Sequence, residues 1–173
     1  IGANSLPNSP AGTRLTAVES RLRMIEMEYH MSADYVIKSL PAARLVARTA
    51  TLDPERLGEH IGPMFAAVAE GLAHVPGALA TPIATYSITD VAVGYGYAGD
   101  APFGAEVIDL PAVEAVCGVH LGSMATIGES WQAMHRWIVD NGHEFAGPCR
   151  ELYLRAEGED QSDWVTAWQQ PIR

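Results

Sequence analysis

One layout occurs twice along this chain, about seventy residues apart, and the repeat constrains the fold more than any single residue does. Leu40-Pro41-Ala42 opens an apolar run to Leu45, Val46 and Ala47, and Leu110-Pro111-Ala112 opens a second to Val116, Cys117 and Val119. Each run leads into a stretch with helical periodicity. Met64, Phe65, Val68 and Leu72 in the first copy, and Trp131, Met134 and Ile138 in the second, recur at three- and four-residue spacings that align them along one side of a helix. A break follows each helix, Val75-Pro76-Gly77 and Ala146-Gly147-Pro148, and beyond it comes a strand with Tyr86 or Tyr153, then a last extended segment. The simplest parse is an α+β chain of two strand-helix-strand-strand modules, residues 34–100 and 104–173.

A chain of 173 residues buries roughly 70 per cent of its unfolded surface, enough for a core that needs neither metal nor disulfide. Cys117 and Cys149 are the two cysteines; they match no metal-ligand spacing and fit free thiols of a reducing compartment. No apolar stretch approaches the roughly 18 residues of a membrane span, and residues 1–10 have neither the basic flank nor the apolar heart of a secretion signal. The expectation is a cytoplasmic protein with no membrane partner. Eleven basic against twenty-one acidic residues leave a formal net charge of −10, which repels a phosphate backbone, so these residues by themselves are not expected to bind DNA. No Gly-rich phosphate loop, nucleophile elbow or paired metal motif is present. His30, His60, His74, His120, His135 and His143 are scattered and read as structural or surface residues, so neither a metal nor a cofactor is expected.

The first thirty residues differ from the rest. Residues 1–13, rich in Pro, Ser and Asn, have the composition of a flexible lead-in. From residue 14 to residue 30, Leu15, Val18, Leu22, Ile25 and Tyr29 recur in a heptad seam flanked by Arg14, Glu19, Arg21 and Glu26. Two heptads fit either pairing between chains or a helix docked on its own domain.

Strand periodicity places the chemistry. In Cys149-Arg150-Glu151-Leu152-Tyr153-Leu154, alternation sets Glu151 and Tyr153 on one face and Leu152 and Leu154 on the other. In the last strand Trp164, Thr166 and Trp168 share a side. In Val91 to Tyr97, Ala92, Gly94 and Gly96 leave one face almost bare, which lets a ligand or another backbone approach, while Tyr95 and Tyr97 point away from it. A strand glutamate is ordinarily solvated and helix tryptophans are ordinarily core. Aromatic rings with polar tips nevertheless suit a pocket for varied apolar shapes.

The run from Gly147 to Leu154, followed by the run from Asp163 to Ile172, resembles the C-terminal end of gyrase-inhibitor-like (GyrI-like) small-molecule-binding domains, often the effector half of MerR-type transcription regulators. Glu19 to Glu26 similarly resembles the end of the linker helix in those regulators. The resemblance implies a pseudo-twofold fold with a ligand cleft between the two modules, an effector domain over residues 33–173, and a DNA-reading domain upstream of Ile1. The MerR-type linker helices pair antiparallel, whereas the charges at Arg14, Glu19, Arg21 and Glu26 match better across a parallel seam.

The resemblance also implies a buried pocket acid, a role that carries over to Glu151 alone; Tyr86, Tyr153, Trp131 and Trp168 are the candidates for the walls. A carboxylate among aromatic rings attracts lipophilic cations through its charge and through the negative ring faces. Buried there unpaired it would be costly, so it must take up a proton or recruit a donor such as a tyrosine hydroxyl. The expected function is sensing of a lipophilic, cationic or aromatic small molecule without chemistry. The alternative is hydrolysis of reactive electrophiles with Glu151 as general acid or base; a third reading, haem carriage, would need a well-placed histidine.

Overall fold

Proline has no backbone N–H to donate to a ladder and is disfavoured in a strand interior, which is where the two Leu-Pro-Ala motifs interrupt their strands. In the computed structural model, which describes residues 35–75, 81–97, 99 and 106–173, β1 (Val36–Leu40) stops before Pro41 and β2 (Ala43–Thr51) starts after Ala42. The second copy repeats this with β5 (Glu106–Leu110) and β6 (Val113–Leu121) on either side of Pro111-Ala112. The lead-in over residues 1–13 and the helix over residues 14–30 lie outside the described residues. All the elements belong to one unit, Val36–Arg173.

The two bent strands run antiparallel to each other in one continuous register. Val36 faces Cys117 and Leu40 faces Val113; past the prolines, Ala43 faces Leu110 and Ala47 faces Glu106. Each half therefore lends its short first strand to the other half. Counted as one bent strand, each pair makes its half strand-helix-strand-strand, the predicted order, through α1 (Leu57–Leu72), β3 (Pro82–Tyr86) and β4 (Asp90–Gly96), then α2 (Ile127–Asp140), β7 (Cys149–Arg155) and β8 (Val165–Pro171). The sheet order is β1-β6-β8-β7-β3-β4-β2-β5. Exchanging every strand with its counterpart in the other half returns the same order reversed, and the centre of that reversal falls between β3 and β7.

Both helices start from a short 3-10 turn capped alike: the Asp53 side chain accepts from the Glu55 N–H, and the Ser123 hydroxyl accepts from the Ala125 N–H. They lie on the same face of the sheet. From α1, Leu57, Ile61, Met64 and Phe65 pack on Ala84, Val91 and Val93, while Val68 and Leu72 close on Val46. A buried aliphatic side chain of this kind contributes about 1.5–3 kcal/mol. From α2, Met134 and Ile138 are fully buried, which completes the predicted stripes. On the bare face of β4, the neighbouring strand crowds Gly94 alone: a Cβ there would strike the Val46 carbonyl and come within 2.8 Å of the Ala47 Cα, whereas one on Gly96 would meet nothing within 4 Å. Cys117 and Cys149 are free thiols. No helix among the described residues is long and apolar enough to cross a membrane.

Candidate functional site

Side chains that face one another in adjacent strands share a face, so the registers define a row across the sheet. Arg48 faces Val93, Val93 faces Ala84, Ala84 faces Glu151, Glu151 faces Trp168 and Trp168 faces Gly118. Glu151 thus sits at the centre of the reversal, opposite Ala84, on the face that carries the helices. Tyr86 lies two residues beyond Ala84 and Tyr153 two beyond Glu151, so the two tyrosines hold corresponding positions, one from each half.

The Glu151 side chain is enclosed, the residue being 5% exposed, and among the described residues the side chains that donate to its carboxylate are aromatic. The Trp131 indole N–H donates to Oε1 at 2.7 Å. The Tyr153 hydroxyl donates to Oε2 at 2.7 Å, and the Tyr86 hydroxyl lies 3.2 Å from the same oxygen and 2.9 Å from the Tyr153 hydroxyl. Hydrogen bonds to a charged group contribute about 1.5–3 kcal/mol each, enough to offset much of what burial costs the anion. None of the salt bridges among the described residues involves Glu151.

Neighbouring groups register the negative field. Burial first, and the Glu151 carboxylate second, push the phenols of Tyr86 and Tyr153 well above the ordinary tyrosine range. The Cys149 thiol, facing Tyr86 across the β3–β7 pair, is pushed up to about 12 by the same two causes in the same order. On the opposite face, Arg150 is buried and donates to the Pro111 carbonyl at 3.0 Å, tying β7 to the second proline bend.

All five residues expected at the site converge. Glu151, Tyr86, Tyr153 and Trp131 form the hydrogen-bonded cluster, and Trp168, 2% exposed, backs it with its ring edge-on to Trp131 at 4.8 Å. Gly118 makes room for that indole, since a Cβ there would lie 2.6 Å from Trp168 Nε1. Two further aromatics extend the wall: Phe65 of α1 stands edge-on to Tyr153 at 5.5 Å and to Tyr95 at 5.8 Å. Sequence reasoning assigned Phe65 to the core stripe and missed both as site residues. A signal was present, because Tyr95 alternates with Val91 and Val93 on the helix-covered side of β4. His135, outside the expected set, lies against Trp131 at 5.6 Å and Phe145 at 5.0 Å, and burial lowers its pKa. His120 has both ring nitrogens engaged: Nε2 donates to the Ser123 carbonyl, leaving Nδ1 to accept from the Ser130 hydroxyl.

No curated protein sequence matches the chain. Among solved structures, the C-terminal domain of EcmrR is similar with a TM-score of 0.64 at 18% identity, covering 81% of this chain and 97% of that one. EcmrR in its DNA complex gives a TM-score of 0.67 at 14% identity, covering 94% of this chain and 71% of that one. SAV2435 bound to tetraphenylphosphonium gives 0.56 at 15% identity, covering 81% and 94%. At these identities the likeness is one of fold. The sequence itself matches a family model over residues 33–173, and on that match the chain belongs to the GyrI-like small molecule binding domain family.

Proposed function

We propose that this chain is the effector-sensing part of a MerR-type transcription regulator and that it binds lipophilic, cationic or aromatic small molecules against Glu151. One observation carries the reading: a carboxylate 5% exposed, hydrogen-bonded by three aromatic side chains and, among the described residues, salt-bridged to no lysine or arginine. Its hydrogen bonds hold the anion in place while its field stays uncancelled. A lipophilic cation supplies the missing charge, and the rings of Phe65, Tyr86, Tyr95, Tyr153, Trp131 and Trp168 supply apolar walls with negative faces. The fold likeness to EcmrR in its DNA complex and to SAV2435 carrying tetraphenylphosphonium supports the same reading.

Sensing of this kind needs no bond making. In a homodimer joined through the heptad segment of residues 14–30, a bound ligand would bias the relative orientation of two effector domains, with DNA contact assigned to a DNA-reading domain of the regulator. The ligand does this only as far as it prefers one orientation. The setting is the cytoplasm, with no membrane partner.

The test is tryptophan fluorescence titration with matched cationic and neutral aromatic compounds on the wild type and Glu151→Gln. Loss of a charge-assisted contact predicts that the variant weakens the cations by at least about tenfold and the neutral compounds far less. Equal weakening of both series removes the charge role. The hydrolase reading rests on the Tyr153 hydroxyl 2.7 Å from Glu151, a pair able to hold and pass a proton. Its test is mass analysis of a strained electrophile after incubation, with a Glu151-dependent product as the supporting result.

A further inference from the structure

Side chains alternate along a strand, so the residues next to Ala84 and Glu151 face away from the helices. On that outer face the registers align two short rows. Thr49 of β2 faces Ala92 of β4, and Ala92 faces Thr85 of β3. Two residues further along, Thr51 faces Asp90, whose carbonyl accepts from the Ser87 N–H at 2.9 Å. The two rows, with Pro148, line a cleft of about 580 Å³. Its polar groups are mostly acceptors. The Thr49 hydroxyl donates its proton to Glu106 Oε2 at 2.6 Å and the Thr51 hydroxyl donates to Asp90 Oδ1 at 2.9 Å, so each keeps only lone pairs for a third party. Asp90 and Glu106 join none of the salt bridges among the described residues. No lysine or arginine is among the described residues that line the cleft. Arg150, which faces Thr85 across the β3–β7 pair, turns its guanidinium to the Pro111 carbonyl at the proline bend, and β2 runs from that bend toward Thr51. Thr85 adds an independent sign. It lines the cleft at 7% exposure, and among the described residues no hydrogen bond engages its hydroxyl. Buried polar groups nearly always have a partner, so an unengaged hydroxyl in a cleft wall points to a guest.

From this cleft we infer a second binding site, for a hydrophilic cation of the primary-amine class, on the opposite face of the sheet from Glu151. A primary ammonium brings three N–H donors to a wall of hydroxyl oxygens and carboxylates. It lies over the Ala92 methyl, meets the charge of Asp90 and Glu106, and uses the Thr85 hydroxyl as an acceptor. The site differs in kind from the Glu151 cluster, where rings enclose the acid. No aromatic ring is among the described residues that line the cleft, so a lipophilic cation gains nothing there beyond its charge. The formal net charge of −10 draws cations toward the whole molecule, and what marks this place is the combination of unpaired acids, oriented hydroxyls and an enclosed threonine.

The experiment is a low-salt titration of the full 173-residue chain with spermidine, followed amide by amide by nuclear magnetic resonance. Permethylated spermidine, which keeps the charge and has no N–H, and triethylene glycol, which has no charge, are the controls. The expected result is that the largest shift changes fall on Thr49, Thr51, Thr85 and Asp90, and that both controls bind at least about tenfold more weakly. Asp90→Asn, at an exposed position, weakens spermidine by about tenfold, and Thr85→Val weakens it several-fold. Shifts centred on Trp131 and Tyr153 would put the amine at Glu151 and overturn the inference while leaving that cluster as a cation site. Shifts spread evenly over the acidic surface, or no binding of spermidine, also overturn it. Equal affinity for the permethylated compound removes the N–H requirement, equal affinity for the glycol makes the cleft a polyol site, and either result overturns the assignment. Thr85→Val alters an enclosed residue and counts only if its thermal midpoint matches the wild type; otherwise Asp90→Asn decides, and unchanged affinity in that variant overturns the site.

Discussion

At the scale of the residue, Glu151 joins none of the salt bridges among the described residues, and two phenols are packed against it. Tyr86 and Tyr153 are raised in the folded protein by burial and then by Glu151. Below about pH 10 the folded and unfolded chains both keep these two protons, and neither phenol tilts the folding equilibrium. Above it the unfolded chain releases protons that the folded chain retains, so stability falls as pH rises. The slope is about 1.4 kcal/mol per pH unit for each phenol. Urea unfolding followed from about pH 9 to about pH 11 should show this decline, shallower in Tyr86→Phe; a flat profile in the wild type contradicts the account. Alternation along β7 set Glu151 beside Tyr153 in the sequence, but by itself it read as a solvated glutamate, and only the family resemblance pointed to its burial. Tyr86 and Trp131 could be named only as candidate aromatics, not as its hydrogen-bond donors, since which strand and which helix lie next to β7 is a matter of topology that local periodicity does not encode.

Among the elements, the two helices correspond in position but not in composition. α1 carries Gly58, Gly62, Pro63 and Gly71, and α2 carries Gly128 alone. Pro63 removes one intrahelical hydrogen bond, and the missing side chain of Gly62 relieves the clash a proline imposes on the residue before it. Gly71 has no such reason: a Cβ there meets nothing within 4 Å. Gly71→Ala should therefore stabilise the fold by about 0.5–1 kcal/mol, read as a rise in the denaturation midpoint. Gly118→Ala should do the reverse, because its methyl would enter the space of the Trp168 indole, and the near-ultraviolet dichroism of the tryptophans should change with it. Apolar spacing exposed both helices and the outer parts of most strands. What it could not expose was the exchange of β1 and β5 between the halves, because Leu-Pro-Ala reads as the opening of one strand whether the segment before it pairs at home or across the molecule. The contact of Phe65 with Tyr95 and Tyr153 was hidden for a related reason, since helical periodicity marks a core-facing ring without saying which rings it meets.

For the whole molecule, the exchanged strands make the halves dependent on each other. The first half alone would lose the partners of β1 and the β5 edge of β2, and it would expose β3 where β7 now pairs. Calorimetry of the chain should give one cooperative transition for Val36–Arg173, and the isolated segment 36–97 should show none; two separate transitions would mean the halves are independent bodies. The side-chain pairs along the bent ladder, Arg44 with Asp109 and Thr49 with Glu106, are exposed and screened by solvent, so the dependence lies in backbone pairing and buried contacts. The pairing of Ala84 with Glu151 has a consequence of its own. Had both halves kept an acid at this position, the two would stand side by side with Cα atoms about 4.5–5.5 Å apart, and mutual repulsion would force one of them to stay neutral. A twofold-symmetric molecule would thus titrate as a dyad sharing a proton. With a methyl group on one side only, the acid has no like-charged twin beside it, and the centre of the reversal is chemically lopsided although the strands around it are matched.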